Sequence, residues 1–104
     1  MIRVSVMYLR NEGKTFDIDY YAKKHMALVH EKMDALGLKS VEVDRGLTDL
    51  SHSESPFFAI GHLMFESLEV FSAAFEVAGN ALLADMPNYT NVDPIVQISE
   101  IMPT

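Results

Sequence analysis

Stretches in which apolar and polar residues alternate are interleaved along this chain with two stretches in which apolar residues return every three or four positions. Residues 2–9 alternate Val4, Val6 and Tyr8 against Arg3, Ser5 and Met7, which predicts a strand, and the polar run from Arg10 to Lys14 predicts a turn after it. Ile18, Tyr21, His25, Leu28, Val29, Lys32 and Leu36 then recur at helical spacing. They predict a helix over residues 17–36 with that set as its packed face. Asp17 is placed to cap its first turn, Phe16 and Tyr21 have the spacing of a hydrophobic staple, and Gly37 suits the left-handed residue that ends helices. Val41 and Val43 alternating with Glu42 and Asp44 predict a strand over residues 39–47, a polar loop follows over 48–56, and residues 57–65 read as a third strand. Ser67 is placed to cap a second helix on which Leu68, Phe71, Phe75 and Ala78 share a face. Gly79 is expected to interrupt it before a short piece ending near Met86, because Pro87 disfavours helical geometry before it. A loop over 88–94 and a last strand over 95–101 complete the chain.

The order β-α-β-β-α-β predicts one α+β domain over residues 1–104. The expected fold is ferredoxin-like, a four-stranded antiparallel sheet with both helices on one face. Because successive strand residues point to opposite faces, Val4, Val6, Tyr8, Val41, Val43, Ala59, Gly61, Leu63, Phe65, Val96 and Ile98 fall on the helix side. The other face mixes Arg3, Ser5, Met7, Glu42, Asp44, Phe58, Ile60, His62, Met64 and Gln97, and is too apolar to be left to water. Two such faces packed across a twofold axis would bury it, so a homodimer through the mixed face is expected, with its polar members lining an internal cavity.

The composition narrows the class of function. A 49% hydrophobic, 22% charged chain is globular, and its formal charge of -7 disfavours nucleic acid or an anionic membrane surface as partner. The absence of cysteine removes disulfides, thiolate catalysis and thiolate metal sites, and no apolar run approaches the ~20 residues of a membrane span. A soluble cytoplasmic protein that binds a small neutral or aromatic ligand is the expectation.

Histidines 25, 30, 52 and 62 carry the candidate chemistry. His25 lies in the packed face of the first helix, one turn after Tyr21, where a buried imidazole needs a partner. It is either a hydrogen-bonded core histidine or a pocket acid or base. His30 is five residues on, about 140° around the helix, so the two cannot share a metal and HMALVHE is not the zinc motif H-E-x-x-H. No metal site is expected. His30 and His52 read as surface residues. His62 falls on the mixed face with Met7, Asp44 and Met64, as either an interface or a pocket residue. There is no glycine-rich phosphate loop, nucleophile elbow or dinucleotide fingerprint, and no cofactor is expected.

Four stretches in order, FDIDYYAKKHMALV, VEVDRGL, FFAIGHLMFESLEVFSAAF and DMPNYTNVDPIVQISEI, resemble EthD-domain proteins over nearly the whole chain. One departure is Ala27, where the family commonly has proline in H-x-P-L. The resemblance implies a ferredoxin-like fold that dimerises into an α/β barrel. It also implies kinship with cofactor-independent isomerases, monooxygenases and dehydratases that hold an apolar ligand between sheet and helix. Carried over, it points to Tyr21 and His25 as the reactive pair, with Asp44, Arg45 and Tyr89 as lining. The function expected is acid/base chemistry by His25, oriented by Tyr21, with His62 or Asp44 as a second polar group; the alternative is a non-catalytic carrier of an apolar compound. A haem-handling barrel ranks last, since no cationic cluster is present for the propionates.

Overall fold

The computed structural model describes residues 1–104. The strands β1 (Ile2–Leu9), β2 (Ser40–Arg45), β3 (Phe57–Phe65) and β4 (Ile95–Glu100) form one antiparallel sheet in the order β2-β3-β1-β4. Its register sets Val4 opposite Leu63 and Ile98, Val6 opposite Gly61 and Val96, and Val43 opposite Gly61. The apolar set deduced from alternation therefore shares one face, and the helices pack on it. Val4, Tyr21, Val29, Met33 and Phe65 are the largest fully buried side chains and mark the centre of the core. The fold is α+β and ferredoxin-like, and no helix is long and apolar enough to cross a membrane.

The first helical rod consists of α1 (Ile18–Tyr20), a π-helical turn at Tyr21–His25, and α2 (Met26–Met33), followed by a 3₁₀ turn at Asp34–Leu36. Asp17 caps it, its carboxylate accepting from the Tyr20 amide at 3.0 Å, and the Phe16 and Tyr21 rings meet at 5.1 Å as a staple. It ends at Gly37, whose φ of 107° is the left-handed value. There the Leu38 amide donates to the Met33 carbonyl and the Gly37 amide to that of Asp34, which is the Schellman pattern.

The π turn corrects one expectation. Met26 donates its amide to the Tyr21 carbonyl five residues back, so one extra residue enters the rod and later positions rotate. Met26, Val29 and Met33 are buried where continuous α-helical phase would have buried Lys32, and Lys32 is exposed. A second correction concerns Gly79, which does not interrupt its helix: α3 runs unbroken over Leu68–Asp85. A Cβ there would come within 3.0 Å of the Phe75 ring, so glycine makes room for that ring rather than ending the helix. The buried face of α3 is Phe71, Ala74, Ala78 and Leu82, while Leu68 and Phe75, expected on it, are exposed. Ser67 caps α3 by accepting from the Val70 amide at 3.2 Å.

Candidate functional site

The loop after α3 is tied to the start of the first helical rod. Asp17 donates its amide to the Tyr89 carbonyl at 2.8 Å, Phe16 and Thr90 form a β-bridge, and the Thr90 hydroxyl donates to the Thr15 carbonyl at 2.7 Å. This seam brings Tyr89 against the π turn. The Tyr21 and His25 rings stack at 5.4 Å with planes 14° apart, Tyr89 lies 4.7 Å from His25, and Tyr8 meets Tyr21 edge-on at 5.3 Å. The Tyr8 and Tyr89 hydroxyls are hydrogen-bonded at 2.8 Å.

Asp85, the last residue of α3, completes the cluster. It accepts from His25 Nδ1 at 2.9 Å, from the Tyr20 hydroxyl at 2.8 Å and from Asn88 Nδ2 at 3.0 Å. Burial opposes ionisation of this carboxyl, but the hydrogen bonds from Asn88, His25 and Tyr20 outweigh it and hold its pKa below the ordinary carboxylate value. An ionised carboxylate only accepts, so Nδ1 of His25 carries a proton and, in the neutral ring, Nε2 does not. Nε2 makes no hydrogen bond within the chain, and the His25 side chain borders open space.

That space is a cavity of about 310 Å³ between sheet and helices, lined by 18 residues of which 15 are hydrophobic. His25, Tyr8, Tyr21 and Tyr89 are the lining residues with polar side chains, among neighbours such as Val29 and Leu82. Burial pushes the phenols of Tyr8, Tyr21 and Tyr89 upward, for the last two far above the ordinary tyrosine value. They stay protonated at any physiological pH and act as neutral donors. The Tyr20 phenol is raised as well, because ionising it would forfeit its bond to Asp85.

The sequence-selected residues divide between the two faces of the sheet. Tyr21, His25 and Tyr89 come together on the cavity wall. Met7, Asp44, His62 and Met64 do not join them, because strand alternation points them away from the helices. On that face His62 Nε2 is hydrogen-bonded to the Asp44 carboxylate at 2.8 Å and its Nδ1 to the Ser5 hydroxyl at 3.1 Å, a separate network. Met64 is buried within its own chain, and Arg45 is exposed at the end of β2, opposite Ala59 and away from the cavity. His30 is exposed beside Asp34, and His52 is exposed in the loop before β3. No group of three His, Cys, Asp or Glu is placed to hold a metal ion.

The sequence reading missed Asp85, Tyr8 and Tyr20 as site residues. Asp85 carried one readable sign: a carboxylate in the last turn of a helix opposes the helix dipole, by about 0.3–1 kcal/mol, and such a placement calls for compensating partners.

The fold matches solved structures. An EthD-like protein of Ralstonia eutropha JMP134 is 36% identical, with 95% of this chain and 89% of that one covered and a TM-score of 0.88. The chain belongs to the EthD-like family. An ethyl tert-butyl ether degradation family protein of Bacillus halodurans C-125 shares the EthD-like fold at 17% identity and a TM-score of 0.69, covering 98% of this chain and 99% of its own. An antibiotic biosynthesis monooxygenase shares it at 12% identity and a TM-score of 0.60, with 99% and 100% covered. No protein-family model and no curated protein matches the chain. The EthD-like fold fits a small-molecule enzyme or a binding protein.

Proposed function

We propose that this EthD-like protein binds a small neutral apolar or aromatic molecule between sheet and helices and moves protons on it through His25. The observation that carries this reading is the division of labour in the imidazole: Nδ1 is committed to Asp85 while Nε2 is left without a partner on a side chain that lines an otherwise apolar cavity. A C–H or O–H made acidic by an adjacent carbonyl or ring gives its proton to Nε2. The imidazolium formed is stabilised by the Asp85 carboxylate, and negative charge developing on the substrate oxygen meets protonated tyrosine hydroxyls. Returning the proton to another carbon completes an isomerisation, and returning it to a departing hydroxyl completes a dehydration. With dioxygen as oxidant, deprotonating a phenol is equally the opening step of a cofactor-independent monooxygenation. A general acid/base of this kind contributes about 10² to 10⁴ in rate.

The test is a thermal-shift screen of wild type and His25→Ala against lactones, phenols, quinols and short branched ethers, followed by product analysis of the compounds that bind. Turnover in wild type that vanishes in a folded His25→Ala supports the reading. The strongly apolar lining also favours a carrier, which would bind saturably without turnover and survive loss of His25; that result would replace the catalytic reading. The half-buried apolar residues of the opposite face, Met7 and Ile60, support a homodimer through that face; Phe58, expected there, is turned by the β1–β3 register shift onto the Phe16 ring instead.

A further inference from the structure

The cavity is polarised from floor to mouth. Its polar groups belong to Tyr8, Tyr21, His25 and Tyr89, none more than 6% exposed, whereas Phe75, Leu83 and Val96, which also line it, are 41, 51 and 54% exposed. The last three therefore flank the opening. Ile98 stands two residues farther along β4 on the same face, about 7 Å on, and is 42% exposed. On β1 and β3 the helix-facing residues Val4, Tyr8, Ala59, Leu63 and Phe65 are buried and Ile2 and Val6 half-buried, whereas Val96 and Ile98 are exposed, so the helices leave β4 largely uncovered. Val96 and Ile98 form an apolar track that starts inside the cavity and continues outside it. The charge at the floor matters as well: no Lys or Arg lines the cavity, and the Asp85 carboxylate lies directly behind His25, which disfavours an anionic head group there.

We infer that the ligand is an amphiphile with a neutral head that donates a hydrogen bond, a phenol or enol, and an unbranched alkyl tail. The head sits against His25 Nε2 and the tyrosine hydroxyls, and the tail leaves through the mouth along Val96 and Ile98. This inference rests on the proposed use of the cavity. A volume of about 310 Å³ is at the lower limit for ligand pockets, so it holds a head group and the first part of a tail, and a longer tail runs outward. A fully buried methylene is worth about fourfold in affinity and a half-buried one about twofold, so the tail registers as a slope with chain length.

The experiment is calorimetric titration of the 4-alkylphenols from methyl to hexyl into wild type, Val96→Asp, Leu83→Glu and His25→Gln. The expected result is a Kd that falls about two- to fourfold per methylene in wild type and flattens in both mouth variants. His25→Gln should weaken every member by a similar factor and keep the slope. Both mouth positions are solvent-exposed, so their variants retain the core. Equal affinity along the series, or a slope intact in both mouth variants, overturns the tail track. His25-dependent binding of 4-methylphenol without a slope does so while leaving the site reading standing; a slope accompanied by affinities that His25→Gln leaves unchanged does the reverse. Absence of binding by every member overturns both.

Discussion

Replacing Asp85 with Asn tests what holds His25 in its working form, because the amide keeps the shape of the carboxylate and removes its charge. Tyr20 and Asn88 both donate to Oδ1, which an amide oxygen can replace, but His25 Nδ1 donates to Oδ2, where the amide places an N–H₂. Two donors cannot face each other at 2.9 Å, so the imidazole must carry its proton on Nε2 and accept at Nδ1. His25 then offers the cavity a donor in place of a base. Hydrogen bonds to a charged group contribute about 1.5–3 kcal/mol and neutral ones about 1, so three weakened bonds amount to roughly 3 kcal/mol. Relief from burying the charge offsets part of that, leaving a net destabilisation of about 2 kcal/mol. For a domain of this size that lowers Tm by on the order of 10 °C. Denaturant unfolding measures the first effect, and long-range nitrogen–proton NMR of the histidine rings measures the second. Turnover should fall by the ~10² to 10⁴ ascribed to a placed acid/base. A variant that keeps its proton on Nδ1, or unfolds like wild type, would refute the argument that Asp85 sets the tautomer.

Three further outcomes follow from the same geometry. Because the folded pKa of Asp85 lies below its usual 3.8, its stabilising contribution is complete above that value and disappears as pH falls through the folded pKa. The stability gap between wild type and Asp85→Asn should therefore close in denaturant titrations carried below pH 4, and a gap independent of acid would contradict it. Gly61→Ala adds a Cβ that collides with the Tyr21 hydroxyl, so it should cost about 1–3 kcal/mol in chemical denaturation and disturb ligand binding; a neutral effect would mean the ring is free to move aside. Ile60→Asp, at the centre of the mixed sheet face, should convert a homodimer into a monomer by sedimentation, and a wild type already monodisperse at 11.7 kDa would sink the proposed assembly.

Much of the fold was legible because local rules and long-range packing agree. β3 occupies residues 57–65 as its alternation indicated, and Asp17, Gly37 and Ser67 act as the caps and stop their chemistry suggests. Gly79 misled because a glycine in a helix costs only about 1 kcal/mol, too little to end an 18-residue helix whose apolar face is packed. What punctuates α3 is Pro87, one residue into the next turn. Phe75 and Leu68 were misplaced because helical spacing groups them with Phe71, whereas the buried stripe of α3 runs through Phe71, Ala74, Ala78 and Leu82 and leaves that flank exposed.

The site was half legible, and the missing half has one physical origin. Tyr21 and His25 announced themselves by sharing a helix face, yet the partner that gives His25 its chemistry is 60 residues away, which no local pattern reports. A period of 3.6 also has no term for an inserted residue. Carried straight through, it buries Lys32 and leaves Met26 and Met33 outside; the π turn reverses this, so that His25 and Met26, adjacent in sequence, both reach the cavity. The turn spans Tyr21–His25, and the carboxylate that opposes a helix dipole stands at the other end of the same hydrogen bond. Two locally unfavourable choices thus meet at one imidazole. Conflicts between local preference and final structure that converge on a single side chain are the pattern expected of functional positions, which makes His25 the side chain whose substitution is most informative.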